Sequence, residues 1–201
     1  EFKKNNLIAI TGCGSTPGIN NIMLAYASEF FDTINTIDAG FCWNSNTEEF
    51  VVPFSMPSIV EEFTEQASLL KNGKWQKIAP FKTIFDKRMQ FVGTNKCFQV
   101  RHPEPYTFHY YYKSKGLKNT RFYAGFPDHS FYTIYNFIKL GFTDQEKVEI
   151  NGSNIIPLDF LTENLRKIKP SHRYKEDEVL WVTIIGKKNK KRKKEDRKED
   201  N

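Results

Sequence analysis

Two Asn-Gly dipeptides constrain the fold of this chain more than any other feature. Asn72-Gly73 lies between Ala67 to Lys71 and Lys74 to Ile78, and Asn151-Gly152 joins Lys147 to Ile150 with Asn154 to Ile156. A type I′ turn needs positive φ at both central residues, which Asn and Gly adopt at least cost, so each dipeptide predicts a tight hairpin. Two residues cannot connect parallel strands, so antiparallel pairing is required.

Around these hairpins the apolar periodicity supplies the other elements. Ile19, Ile22, Met23, Tyr26, Ala27 and Phe30 follow helical spacing and predict a helix with that face inward. Thr33 to Trp43 alternates as a strand, with Ile34, Thr36, Asp38 and Gly40 on one face and Asn35, Ile37, Ala39 and Phe41 on the other. Pro57 opens a short helix over Ser58 to Phe63, and the chain from Phe81 to Val92 reads as extended. Leu117 to Phe126 is a strand. Asp128 caps a helix with Phe131, Ile134, Tyr135 and Ile138 inward, ended by Gly141. Pro157 opens another, with Leu158, Leu161, Leu165 and Ile168 inward, and Glu178 to Gly186 is apolar enough to predict a central strand. The expected class is α+β, one domain over residues 1–186 with a mixed, largely antiparallel sheet and helices on one face.

Composition limits the function classes. At 201 residues with 18 Phe, the chain can bury one sizeable core. Of its net charge of +6, the segment 187–201 supplies nine basic residues against four acids, so that segment reads as a solvated, disordered basic tail and the body as nearly neutral. Nucleic acid is therefore not the expected partner. Cys13, Cys42 and Cys97 are too few and too scattered for a disulfide framework or a zinc site. With no leader pattern and no long apolar run, the expectation is a cytoplasmic protein that meets no membrane.

Gly12, Gly14 and Gly18 enclose a loop between the apolar run Leu7 to Ile10 and the first helix. Thr16 as N-cap and Pro17 at the first helical position would aim free N–H groups at this loop, a setting suited to an anion or cofactor. With Asp38 twenty residues beyond Gly18, one reading is a dinucleotide-binding unit of Rossmann type, although the spacing is G-x-G-x-x-x-G.

A second reading rests on resemblance. Gly14-Ser15-Thr16-Pro17-Gly18-Ile19-Asn20-Asn21, Glu61-Glu62-Phe63-Thr64, His102-Pro103-Glu104-Pro105, Ala124-Gly125-Phe126-Pro127 and Pro157-Leu158-Asp159-Phe160-Leu161 together resemble the substrate domain of the saccharopine dehydrogenase-like oxidoreductases, whose members include lysine and carboxynorspermidine dehydrogenases. The resemblance implies hydride transfer between NAD(P) and the carbon bearing an amine, on an amino-acid-like or carboxylated-polyamine substrate, in a homodimer. It implies that Gly14, Pro17 and Gly18 border the cofactor, and that Asn20, Phe54 and Ser55 line the substrate side with His102 and Glu104. The cofactor-binding domain that precedes this segment in the family is not in these residues, so the chain is expected to be inactive by itself.

The residues add their own argument. His102 and Glu104 stand two apart between prolines that stiffen a loop, and a carboxylate and an imidazole at that spacing can share a proton or orient an amine, so they are the catalytic candidates. His129 and His172 are read as structural, Cys13 as a small buried residue, and Trp43, Phe54, Tyr106 and Tyr111 as core more than cofactor platform. A non-catalytic binding or scaffold module is the alternative from a different class.

Overall fold

The structure, a computed structural model, describes residues 2–47 and 49–188. Its centre is β1 (Thr33–Ser45), which pairs in parallel with β6 (Asn119–Phe126) on one side and antiparallel with β9 (Glu176–Lys187) on the other. The remaining strands of this sheet are β2 (Ala67–Lys71), β3 (Lys74–Ile78), β4 (Ile84–Met89) and β5 (Gly93–Gln99). The free edge of β6 is shared. Its start meets β2 at Leu70–Thr120, and its end meets β5 through Lys96–Phe126 to Gln99–Tyr123. β7 (Val148–Ile150) and β8 (Ser153–Ile155) form a separate two-stranded ribbon. β1 with β6 is the parallel pair and the other pairings are antiparallel, as the hairpins required. Asn72 and Asn151 have the positive φ of the expected turns, 50° and 51°.

Five helices lie against one face of the sheet: α1 (Ile19–Ser28), α2 (Met56–Thr64), α3 (Glu104–Tyr112), α4 (Asp128–Lys139) and α5 (Pro157–Leu165). One continuous core unites Leu24 of α1, Phe63 of α2, Phe108 of α3, Ile134 of α4 and Leu161 of α5 with Ile37, Ala39, Phe41 and Trp43 of β1 and Phe122, Ala124 and Phe126 of β6. Phe63 is its hub, with Phe98, Phe126, Phe81 and Phe131 at ring-centroid distances of 4.8 to 5.5 Å. The other face carries a smaller cluster of Cys42, Val92, Cys97, Tyr123 and Trp181. Asp38 and Arg121 are joined there by a two-pronged ion pair at 2.6 and 2.8 Å. Burial raises the Asp38 pKa although Arg121 pulls the other way.

Several expectations are corrected. The strand register shifts between Ile34 and Thr36, so Ile34 joins Ile37 and Ala39 in the core instead of facing away from them. β9 is an edge strand, not a central one. Its unbroken apolar character has a different origin: Leu180, Val182 and Ile184 face the helices, while Trp181 on the far side lies against Tyr123 and under the Lys87 ammonium, 4.2 Å from the ring. α1 is rotated from its expected setting. Ile22 and Tyr26 are exposed, and Asn20, Leu24 and Ser28 face in. Ile168 lies beyond α5 and is exposed, and Cys13, Tyr106 and Tyr111 are exposed too. Of the basic segment, residues 189–201 lie outside the described residues.

Candidate active site

The glycine loop is built differently from its sequence expectation. Pro17 follows a cis peptide bond, and α1 begins at Ile19 with Gly18 as N-cap, not at Pro17 with Thr16. Gly18 has φ 148°, and a Cβ there would stand 2.1 Å from the Gly14 carbonyl, so this position requires glycine. The backbone donors close on the loop itself: Gly14 N–H donates to Pro17 at 2.9 Å, Ile19 N–H to Gly14 at 2.9 Å and Asn20 N–H to Ser15 at 3.3 Å. A pyrophosphate cradle needs those N–H groups free. Leu7 to Ile10, which a dinucleotide unit would use as its first strand, joins no strand among the described residues, and Ile8 is 90% exposed. The loop does not fit a bound pyrophosphate.

What the loop does is turn Ser15 and Thr16 toward a cleft of about 600 Å³ at the carboxyl end of β1. Phe41 and Trp43 from β1 and Phe54 from the segment before α2 form its aromatic wall. Phe41 and Phe54 meet edge to face at 6.4 Å, and Trp43 meets Phe126 at 6.1 Å. Trp43 is 5% exposed and its indole N–H has no partner among the described residues. Glu176, Asp177 and Glu178, at the start of β9, form a third side. Burial raises the Glu178 pKa against the pull of a hydrogen bond from Ser15, and Glu176 beside it pushes the same way as burial.

His102, just past β5, closes the cleft. Its Nδ1 meets Glu104 Oε2, and its ring lies flat on Phe122 with centroids 4.2 Å apart. Glu104 is not in a stiff loop: it occupies the first turn of α3, fully buried, a position where the helix dipole favours a carboxylate. The prolines that suggested a loop sit at the N-cap and in the first turn, where a helix tolerates them. Glu62 of α2 faces the same cleft, and its Oε2 is shut off from solvent with no partner among the described residues. Burial first, and the Glu104 carboxylate second, push the Glu62 pKa up to about 8.

Of the residues singled out from sequence, His102 and Phe54 line the cleft and Glu104 stands behind His102. Gly14, Pro17 and Gly18 shape the loop that carries Ser15 and Thr16. Asn20 is completely buried and donates to the Gly40 carbonyl at 3.4 Å, tying α1 to β1, and Ser55 is the N-cap residue of α2. Trp43, Glu62 and the acids of β9 were missed. Glu62 is part of Glu61-Glu62-Phe63-Thr64, but an acid in the later turns of a short helix reads as solvated, and its burial depends on tertiary packing. A second cleft of about 520 Å³, with Arg101, Pro103 and Tyr106 on its wall, shares Ser58, Glu62 and His102 with the first. No group of three or more His, Cys, Asp or Glu is placed to hold a metal ion among the described residues, and none of the helices is long and apolar enough to cross a membrane.

The chain is 28% identical over 163 residues to the carboxyaminopropylagmatine dehydrogenase of a Synechocystis species, an alignment covering 80% of this chain and 40% of that protein. The apo saccharopine dehydrogenase (L-Glu forming) of Saccharomyces cerevisiae has the same fold over 66% of this chain and 32% of its own, with a TM-score of 0.54 at 11% identity. The model of the saccharopine dehydrogenase C-terminal domain matches residues 14–200, so the chain belongs to that oxidoreductase family.

Proposed function

We propose that these residues form the substrate-binding domain of an NAD(P)-dependent oxidoreductase acting on the CH–NH group of an amino-acid-like or carboxylated-polyamine substrate. The observation that carries this reading is the cleft itself, with aromatic walls, three carboxylates on β9 and the His102–Glu104 pair at its floor. Among the described residues Lys and Arg are absent from its lining, which favours a ligand bearing positive nitrogen. The name of the Synechocystis relative supports a guanidine- or amine-bearing substrate. The nicotinamide, which supplies the hydride acceptor, is held mainly by a domain outside these residues, because the glycine loop here uses its own N–H groups. Within the chain, the β9 acids hold the cationic end of the substrate, and Phe54 and Trp43 exclude water. His102, oriented by Glu104, hydrogen-bonds the reacting amine. Ser15 and Thr16 stand at the lip toward the cofactor.

The test has two parts. NADPH titrated into the 201-residue chain should show no submicromolar binding, whereas agmatine should bind in the cleft. Tight NADPH binding would revive the dinucleotide reading of the glycine loop, and failure of agmatine and other polyamines to bind would point to a scaffold role.

A further inference from the structure

Glu62 is the one acid common to both clefts. It stands with Ser58 and His102 where they join, so a linear ligand lying through both would pass its middle across this carboxyl group. Glu62 Oε2 and Glu104 Oε1 are both out of contact with water and both lack a partner among the described residues. Buried polar atoms without partners are costly and rare in native proteins, so two on adjoining carboxyl groups mark a place where a donor belongs. Trp43, on the wall of the first cleft, differs from them: its buried indole N–H is a donor that lacks an acceptor among the described residues.

We propose that Glu62 is a specificity-determining residue that receives the central, protonated nitrogen of a linear substrate spanning the two clefts. The proposal rests on the substrate-cleft reading and adds to it the position of the charge: in mid-chain, away from the end that the β9 acids hold. A protonated secondary amine has two N–H donors to offer, one for Glu62 and one toward His102. A neutral linker of the same length leaves the buried Glu62 oxygen without a donor and is rejected.

The raised pKa of Glu62 agrees with this role, since the free cleft stores a proton that a cation would displace. The titratable groups around it are Glu104 and His102 from the α3 side, Arg101 before them, Glu61 on its own helix with Glu65 just past its end, and Glu176, Asp177 and Glu178 across the cleft. All of these stay in place in Glu62→Gln, so a difference between that variant and the parent chain reports on Glu62.

The experiment compares norspermidine with 1,7-diaminoheptane, in which a methylene replaces the central nitrogen, by calorimetry on the 201-residue chain at pH 7. The parent chain should bind norspermidine roughly ten- to a hundredfold more tightly than the diamine, the range of one charge-assisted hydrogen bond to a buried group. It should release protons on binding norspermidine. Glu62→Gln, checked for an unchanged melting profile at low pH, should bring the two affinities together and abolish the release. Equal affinities in the parent chain, or a preference that survives Glu62→Gln, would overturn the proposal and leave the substrate-cleft reading standing. If neither compound binds, both fall together. The comparison of the two compounds needs no variant, so it holds even if Glu62→Gln does not fold.

Discussion

His102 and Glu104 form one unit: the carboxylate, fully buried in the first turn of α3, holds the imidazole at Nδ1, and His102 lines the cleft. Phe122 fixes the ring plane from beneath. In the catalytically complete protein, His102→Ala should therefore lower kcat/KM by roughly ten- to a hundredfold, the equivalent of about 1.5–3 kcal/mol for one hydrogen bond to a charged group. Activity must be expressed per folded molecule, because loss of the Phe122 stack also lowers the melting temperature. Glu104→Gln should cost more stability than His102→Ala, since it alters a group with no access to water. A variant that melts early but keeps full activity per folded molecule would make the pair structural.

Gly125 separates two thiols. It pairs with Cys42 of β1 on one side and Cys97 of β5 on the other, and its missing side chain lets the sulfurs approach to 3.5 Å. A Cβ there would stand 2.5 Å from Cys42 Sγ and 2.9 Å from the Phe41 carbonyl oxygen. Gly125→Ala should destabilise by about 1–3 kcal/mol through overpacking, visible as a drop of several degrees in Tm. Adding Cys42→Ala should restore part of the loss but not all, because the Phe41 carbonyl cannot move away. Full recovery would show that the sulfur alone sets the limit.

The pH dependence of stability follows from Glu62. Its folded-state pKa, about 8, lies above the ordinary carboxylate value of 4.5, so the folded chain holds a proton that the unfolded chain has lost across that interval. The slope of unfolding free energy with pH is then negative, and this stabilisation is full below pH 4.5 and is lost as pH rises through 8. Denaturant titrations at pH 5, 6.5 and 8 should show the parent chain losing stability with pH more steeply than Glu62→Gln. Parallel pH profiles would contradict the burial assigned to this carboxyl group.

The acids of β9 should act as a cation receptor whose strength depends on salt. Glu176→Gln with Glu178→Gln should weaken agmatine binding about tenfold at low ionic strength. The weakening should shrink at high salt, where exposed charges are screened. Unchanged affinity would remove β9 from the site.

Much of this fold is legible in local chemistry. Asn72-Gly73 and Asn151-Gly152 set two hairpins because the turn itself demands those residues. Phe131 and Ile134 of α4, and Leu158 and Leu161 of α5, lie inward as their spacing says. The misreadings share a cause. α1 has apolar residues around most of its circumference, so periodicity could not select the buried side, and Asn20 faces in because Gly40 of β1 offers it a carbonyl. β9 looked central because Trp181 on its second face is covered by Tyr123 and Lys87, a contact between distant segments. At the candidate cleft, the contact of His102 with Glu104 announced itself by their spacing. Glu62 and Trp43 could not, because what distinguishes them is a missing hydrogen-bond partner, which exists only once the chain has folded.

The most direct test of the substrate cleft is carried by the three tryptophans, Trp43, Trp75 and Trp181, each of which gives one indole N–H resonance. Trp43 lines the cleft and lacks an indole partner among the described residues, and Trp181 lies on the opposite face of the sheet. In a nitrogen-15 correlation spectrum of the chain titrated with agmatine, the Trp43 indole signal should shift progressively with the backbone signals of Ser15, Ser58 and His102. The Trp181 signal should stay in place. A Trp181 shift with Trp43 unmoved, or no saturable shift at all, would contradict the assignment of this cleft as the substrate site.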